Sequence, residues 1–222
     1  KKTMDSLVSG DRVEITSTDP GFPRDAAAWC NSTGNQLISK ETAGGKSVVV
    51  IEKGEPKSCN IVTSCEGKGK TFIMFSDDLD KALATFVLAN GAAATGQKVT
   101  IFFTFWGLNV IKKLHKPNVE KDIFGKMFGM MLPSSSRKLK LSKMSMGGIG
   151  GKMMRYIMNR KGIDSLESLR QQALENGVEF IACQMSMDVM GVKQEELLDE
   201  VTIGGVATYM ERADNANINL FI

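Results

Sequence analysis

Residues 178–191, Val-Glu-Phe-Ile-Ala-Cys-Gln-Met-Ser-Met-Asp-Val-Met-Gly, constrain the fold more than any other stretch. Positions 178–182 form a short apolar run introduced by the turn signal Asn176-Gly177, so they read as a buried strand. A helical pattern follows, with Ser186 as candidate N-cap and charge returning at Lys193-Gln194-Glu195-Glu196. A buried strand that hands over directly to a helix belongs to an α/β sheet, and Cys183 sits at the handover. In open α/β sheets, ligands and chemistry gather at the carboxyl ends of the strands. A thiol beside helix N-terminal amides has its thiolate favoured, and the thiolate is the reactive form. A free cysteine also serves as a small core hydrophobe, and that reading stands beside the reactive one.

The surrounding pattern supplies the rest of such a sheet. Residues 70–76 read as a strand, and Asp77-Asp78-Leu79-Asp80 opens a long Ala-rich helix that runs to residue 94 and closes at Gly96. Acidic residues in its first turn suit the helix dipole. Residues 98–105 are a near-continuous apolar run of the kind buried on both faces. Two strands joined through a helix make a parallel pair. A further helix over 164–176 leads into the Cys183 strand, and the chain ends with a partly helical 200–211 and a strand over 217–222. Four or five mostly parallel strands result, with helices on both faces.

Phe75-Ser76-Asp77-Asp78, Phe103-Thr104-Phe105-Trp106-Gly107-Leu108 and Cys183 all fall at carboxyl ends of expected strands, which directs them to one crevice. Together with Ala-Cys-Gln-Met-Ser-Met-Asp-Val-Met-Gly, these segments make 70–222 resemble the DsrE/DsrF-like sulfur-transfer family. The resemblance implies a roughly Rossmann-like, oligomeric sandwich in which a cysteine at a strand end carries sulfur as a persulfide. Cys183 is then the catalytic residue, with Ser76, Asp77, Trp106 and Gly107 as candidates for the pocket wall. Helix capping is the competing role for Ser76 and Asp77, and packing or turn geometry for Trp106 and Gly107.

Residues 1–54 read differently. A helix tail closed by Gly10, a strand over 12–17, a turn at Thr18-Asp19-Pro20-Gly21, a helix around 25–30 and two strands at 36–40 and 47–52 give a thin α+β core. Gly10-Asp11, Asp19-Pro20-Gly21-Phe22 and 28–35 resemble the TusA/SirA-like sulfur-carrier domain. The functional Cys-Pro-x-Pro motif of that family has no counterpart here, because the chain starts inside the helix that follows it. The segment is therefore assigned no catalytic residue and read as an incomplete two-layer domain from a longer protein. Cys30, on the helix after Trp29, reads as core packing.

Residues 55–69, rich in Gly, Pro, Ser and Lys, read as the linker between the two domains, with Cys59 and Cys65 read as incidental thiols and a sulfur relay through them as the alternative. The four cysteines match neither a disulfide framework nor a zinc site. They point to free thiols in a reducing, cytoplasmic setting. A net charge of +3 over 222 residues is too mild to indicate nucleic acid. Gly45-Lys46-Ser47 and Gly69-Lys70-Thr71 lack the earlier glycine of a phosphate-binding loop, and Gly147-Gly148-Ile149-Gly150-Gly151 fails the dinucleotide pattern.

Between 124 and 162 lies an insertion rich in methionine and basic residues, with no acidic residue from Ser134 to Ile163. The preferred reading is a helical flap buried in an oligomer with a solvated basic face. Peripheral membrane contact, a lid over Cys183 and a docking surface for a sulfur donor stand as alternatives.

The function these features imply is transfer of sulfane sulfur, with donor and acceptor proteins or small persulfides as partners and no metal or organic cofactor. One rival is a cysteine hydrolase, for which His115 is the only histidine available as base. The other is a docking or oligomerisation module of a larger rhodanese or coenzyme A-disulfide reductase-type oxidoreductase.

Overall fold

The structure, a computed structural model, describes residues 4, 6–54, 69–94, 96–115, 117, 119–121 and 123–222. Most of the expected linker, with Cys59 and Cys65, lies outside these residues. The described chain is mixed α/β and forms two compact units, one from residues 1–66 with 203–215 and one from 67–202 with 216–222.

In the first unit, β1 (Arg12–Ser17), α1 (Phe22–Thr33), β2 (Gln36–Ala43) and β3 (Lys46–Glu52) build a three-stranded antiparallel sheet in the order β1-β3-β2. Strand β3 is central, and Val49 and Ile51 on its inner face pack with Ala26 and Cys30 of α1. Proline in the first turn starts α1 and Gly34 ends it in a left-handed conformation at φ 78°, a position where a side chain would be strained. Cys30 is buried in this small core, and burial pushes its thiol pKa up.

A late segment completes this unit. The helix α7 (Val206–Asp214) packs on α1. The residue before it, Gly205, offers no side chain to cap it, and Asp25 of α1 supplies the missing acceptor. Its Oδ1 accepts from the Gly205 amide at 2.9 Å and from Thr208 Oγ1 at 2.5 Å. Asp25→Ala is expected to lower stability by about 1–2 kcal/mol, the usual cost of losing a cap. Amide exchange of α7 should rise more than that of β3, and equal protection in the variant would deny Asp25 this role.

The second unit holds β6, β5, β4 and β8 of a five-stranded sheet in the order β7-β6-β5-β4-β8, β7 lying at the boundary of the two residue sets. The strands of this sheet are β4 (Gly69–Met74), β5 (Val99–Phe103), β6 (Glu179–Cys183), β7 (Thr202–Gly204) and β8 (Ala216–Phe221). The β8–β4, β4–β5 and β5–β6 pairs are all parallel, which the long crossovers between them require. The helix α2 (Leu79–Ala94) connects β4 to β5. Between β5 and β6 come α3 (Ile123–Met131), α4 (Ile149–Arg160) and α5 (Leu166–Glu175), and α6 (Gln184–Met190) follows β6.

All five residues of β5 are buried, as expected of a strand covered on both faces. Phe86 of α2, Phe103 of β5 and Phe180 of β6 form the aromatic centre, with ring centroids 5.4–6.4 Å apart. Among the described residues, no helix is long and apolar enough to cross a membrane.

Three local expectations change. The strand expected to reach residue 105 stops at Phe103. Phe105 takes a left-handed φ of 46°, and residues Phe105–Ile111 wind into a 3-10 helix. Ser186 is not the N-cap of α6, because β6 passes into the helix without a loop and Cys183 itself takes that position. Ser186 instead lies inside the helix, fully buried, sharing a 2.8 Å hydrogen bond with Thr104. Finally, the three-residue β7 precedes α7 in a stretch read only as partly helical; such a short strand has no periodicity to detect.

Candidate functional site

The carboxyl edge of the parallel sheet brings together the ends of β4, β5 and β6. Cys183 closes β6 and is 2% exposed. It abuts the first turn of α6, and no side-chain hydrogen bond caps the helix there. One turn further, Ser186 is tied to Thr104, the residue just after β5, so the Cys183 turn is fixed to the neighbouring strand by a buried hydroxyl pair. On the outer side of α6, Met185 and Val189 are exposed one turn apart.

At the end of β4, Ser76 serves helix α2. Its Oγ donates to Asp78 Oδ2 at 2.7 Å and accepts from the Asp78 amide at 3.1 Å. Asp77 turns instead toward the 3-10 helix, and its Oδ2 accepts from Asn109 Nδ2 at 2.9 Å. Asn109 is fully buried, and its Oδ1 has no hydrogen-bond partner among the described residues. Sequence reasoning missed Asn109, since a single Asn in the apolar run 101–111 carries no signal of its partner 32 positions away.

Gly107 passes close against the end of β4. Its amide donates to Phe75 O at 2.8 Å, and a Cβ placed on it would lie 1.9 Å from Met74 O. Trp106 beside it is 43% exposed. Phe75 stacks within 5.6 Å of both Phe105 and Phe221, giving this edge an aromatic rim. Of the sequence candidates, Asp77 and Gly107 each tie the end of β4 to the 3-10 helix, through Asn109 and Phe75 respectively, Ser76 belongs to the start of α2, and Trp106 is partly exposed.

Burial pushes the Asp77 carboxyl above its ordinary pKa of 3.8, and the charge of Asp78 adds to this. The Asn109 amide and Lys112 oppose it without cancelling it. A carboxyl raised in the folded state stabilises the fold fully below its unfolded value, and that contribution is lost as pH rises through the folded value. Asp77→Asn, which keeps an acceptor for Asn109, is therefore expected to be more stable than the native chain at neutral pH. The difference should close on acidification to below about pH 4. Urea midpoints at the two pH values test this, and a variant that is less stable at neutral pH contradicts it.

His115 lies exposed beyond the 3-10 helix, and Cys183 makes no hydrogen bond to it. Among the described residues, no group of three or more His, Cys, Asp or Glu side chains could hold a metal ion.

Residues 67–221 match the DsrE/DsrF/DrsH-like family, and residues 1–53 match the family described as Sulfurtransferase TusA. The chain is 44% identical to YrkE of Bacillus subtilis over 155 residues, covering 70% of this chain and 97% of that protein. It is 38% identical to the sulfur carrier protein DsrE2 of Allochromatium vinosum over 161 residues, covering 71% of this chain and 99% of that protein. Its first part is 38% identical to the sulfur carrier protein TusA of the same bacterium over 53 residues, covering 24% of this chain and 70% of that protein. The five-stranded unit with Cys183 at the end of β6 is accordingly that of a member of the DsrE/DsrF/DrsH-like family, joined to a TusA-like segment.

Proposed function

We propose that the chain carries sulfane sulfur as a persulfide on Cys183. The observation that carries this reading is the position of Cys183 at the carboxyl end of β6, where the sheet passes directly into α6. Cys30, the other described cysteine, packs in the core of the first unit. The thiolate of Cys183 attacks the outer sulfur of a donor persulfide, R–S–SH. The donor S–S bond breaks, a new S–S bond forms on Cys183, and R–S⁻ leaves with its electron pair. An acceptor thiolate then attacks the outer sulfur and returns Cys183 to the thiolate. Sulfur changes carrier with no net oxidation, so the exchange balances without an added oxidant, reductant or metal.

Burial of Cys183 suits a group that must be kept from water and oxidants between transfers. It also favours small donors, or donors that approach over the exposed Met185 and Val189 of α6. In this reading Asp77, Ser76 and Gly107 hold the ends of β4 and β5, Trp106 forms the rim, and the chain works in a reducing compartment such as the cytoplasm.

The test is intact mass after incubation with thiosulfate or a small persulfide. The native chain should gain the mass of one sulfur atom, reversibly on reduction. A native chain that takes up none removes the proposal.

A further inference from the structure

The insertion between β5 and β6 contains a feature that sulfur transfer does not use. Its glycine run fails the dinucleotide pattern, yet it has a structural reason. Gly147 and Gly148 adopt φ of 66° and 98°, and the chain then starts α4 against the backbone of residues 139–144. A Cβ at Gly150 would lie 2.1 Å from Met144 O, and one at Gly151 would lie 3.3 Å from Leu139 O. At Gly150 only a residue without a side chain lets the first turn of α4 come this close, while at Gly151 a side chain would press on Leu139 O.

That approach encloses a cavity of roughly 210 Å³ between residues 137–140 and the start of α4, walled by Arg137, Lys138, Lys140, Lys152 and Arg155. No carboxylate lines it. Arg155 is engaged, donating to Ser136 O at 2.9 Å and meeting Glu167 at 3.5 Å. Arg137, Lys138, Lys140 and Lys152 have no ion-pair partner among the described residues. Solvated cations normally spread apart; Glu167 offsets the charge of Arg155, and no carboxylate in the wall relieves the mutual repulsion of the other four. Arg137 and Arg155 also line a second cavity of roughly 450 Å³, whose other walls are Leu79, Met158, Ile163 and Leu166 with the polar Asn159, Ser165 and Glu167. A basic cavity and one of mixed lining, apolar at Leu79, Met158, Ile163 and Leu166, thus share two arginines, whose planar forks suit phosphate oxygens. The segment is held in place. Lys140 O accepts from the Leu79 amide at 2.7 Å, and Ser142 donates from its amide and hydroxyl to Asp80 at 2.9 and 2.5 Å. Cys183 lines neither cavity.

We propose that the five-cation cavity binds the phosphate group of an organic phosphate, whose less polar part occupies the neighbouring cavity. The phosphate could belong to a soluble ester or to a lipid headgroup, and the experiment separates the two. The full chain is titrated calorimetrically at low ionic strength with ADP, pyrophosphate and adenosine, and sedimented with phosphatidylcholine vesicles with and without phosphatidylglycerol. The expected result is binding of ADP, competition by pyrophosphate, and weakening as salt rises. Arg137→Gln with Lys152→Gln removes two exposed cations that hold no protein partner, and should weaken binding at least about tenfold. Lys138→Gln with Lys140→Gln should act in the same direction, so the result does not hang on one variant. Binding only to vesicles containing phosphatidylglycerol, lost in the same variants, identifies the phosphate as a lipid headgroup. Adenosine binding as tightly as ADP overturns the proposal. So does an absence of binding to ADP, pyrophosphate and anionic vesicles, or equal binding by native and variant chains. A Cys183→Ser chain should bind as the native one does, which separates this site from the sulfur-carrying reading.

Discussion

Cys183→Ser is expected to abolish sulfur uptake while leaving the fold intact. Serine has nearly the same shape, and the neighbourhood already holds the Ser186–Thr104 hydroxyl pair. The hydroxyl added at this buried position should cost about 1–3 kcal/mol at most, too little to unfold an ordinary domain. What it cannot do is hold a second sulfur. Intact mass after thiosulfate or persulfide treatment should show one added sulfur on the native chain and none on the variant, with matching circular dichroism. Cys59→Ser with Cys65→Ser should still load one sulfur, because the proposal assigns these thiols no part. Since Cys183 is 2% exposed, a bulky maleimide should label it at least about tenfold more slowly in the folded chain than in urea. A Cys183→Ser chain that loads as the native chain does would remove Cys183 from the proposal, and loading lost with Cys59 and Cys65 would move it to them.

The parts of this fold that repeat a simple period were legible before any coordinates. The all-buried β5, the long α2 and the β6–α6 handover each follow from an apolar run of the right length beside a helix signal. They place Cys183 at the sheet edge from the sequence alone. What stayed hidden depends on partners far along the chain. Ser186 looks like a cap in sequence because the handover leaves no visible loop, and only Thr104, 82 positions earlier, explains its burial. Asp25 caps a helix 180 positions away, a relation no local pattern carries. Asn109 and Asp77 are likewise joined only by the turn after Phe103, whose positive φ at Phe105 breaks the expected strand. The glycine run at 147–151 was visible but unexplained. Its spacing fits no dinucleotide loop and gave no role, whereas its positions answer to the backbone of residues 139–144.

Gly107→Ala is expected to be among the most destabilising single substitutions in the second unit, at about 3 kcal/mol or more. The reason is contact with backbone rather than with a side chain that could turn aside. The new Cβ would lie 1.9 Å from Met74 O and 2.7 Å from the carbonyl carbon. Met74 cannot retreat freely, because it pairs with Phe103 and its carbonyl accepts from the Thr104 amide at 3.1 Å. Phe75, next in line, accepts from Gly107 and donates to Ile222 O, each at 2.8 Å. A shift at Gly107 thus loosens β4 from both β5 and β8. Urea denaturation should show a lower midpoint with an unchanged slope. Trp106→Ala makes the contrast, since that side chain is 43% exposed and its loss should cost less than about 1 kcal/mol. If Gly107→Ala costs no more than Trp106→Ala, the contact at the β4 end is not rigid. Gly107 would then have to be explained by what lies on the outer side of the sheet edge rather than by the close passage of two strands.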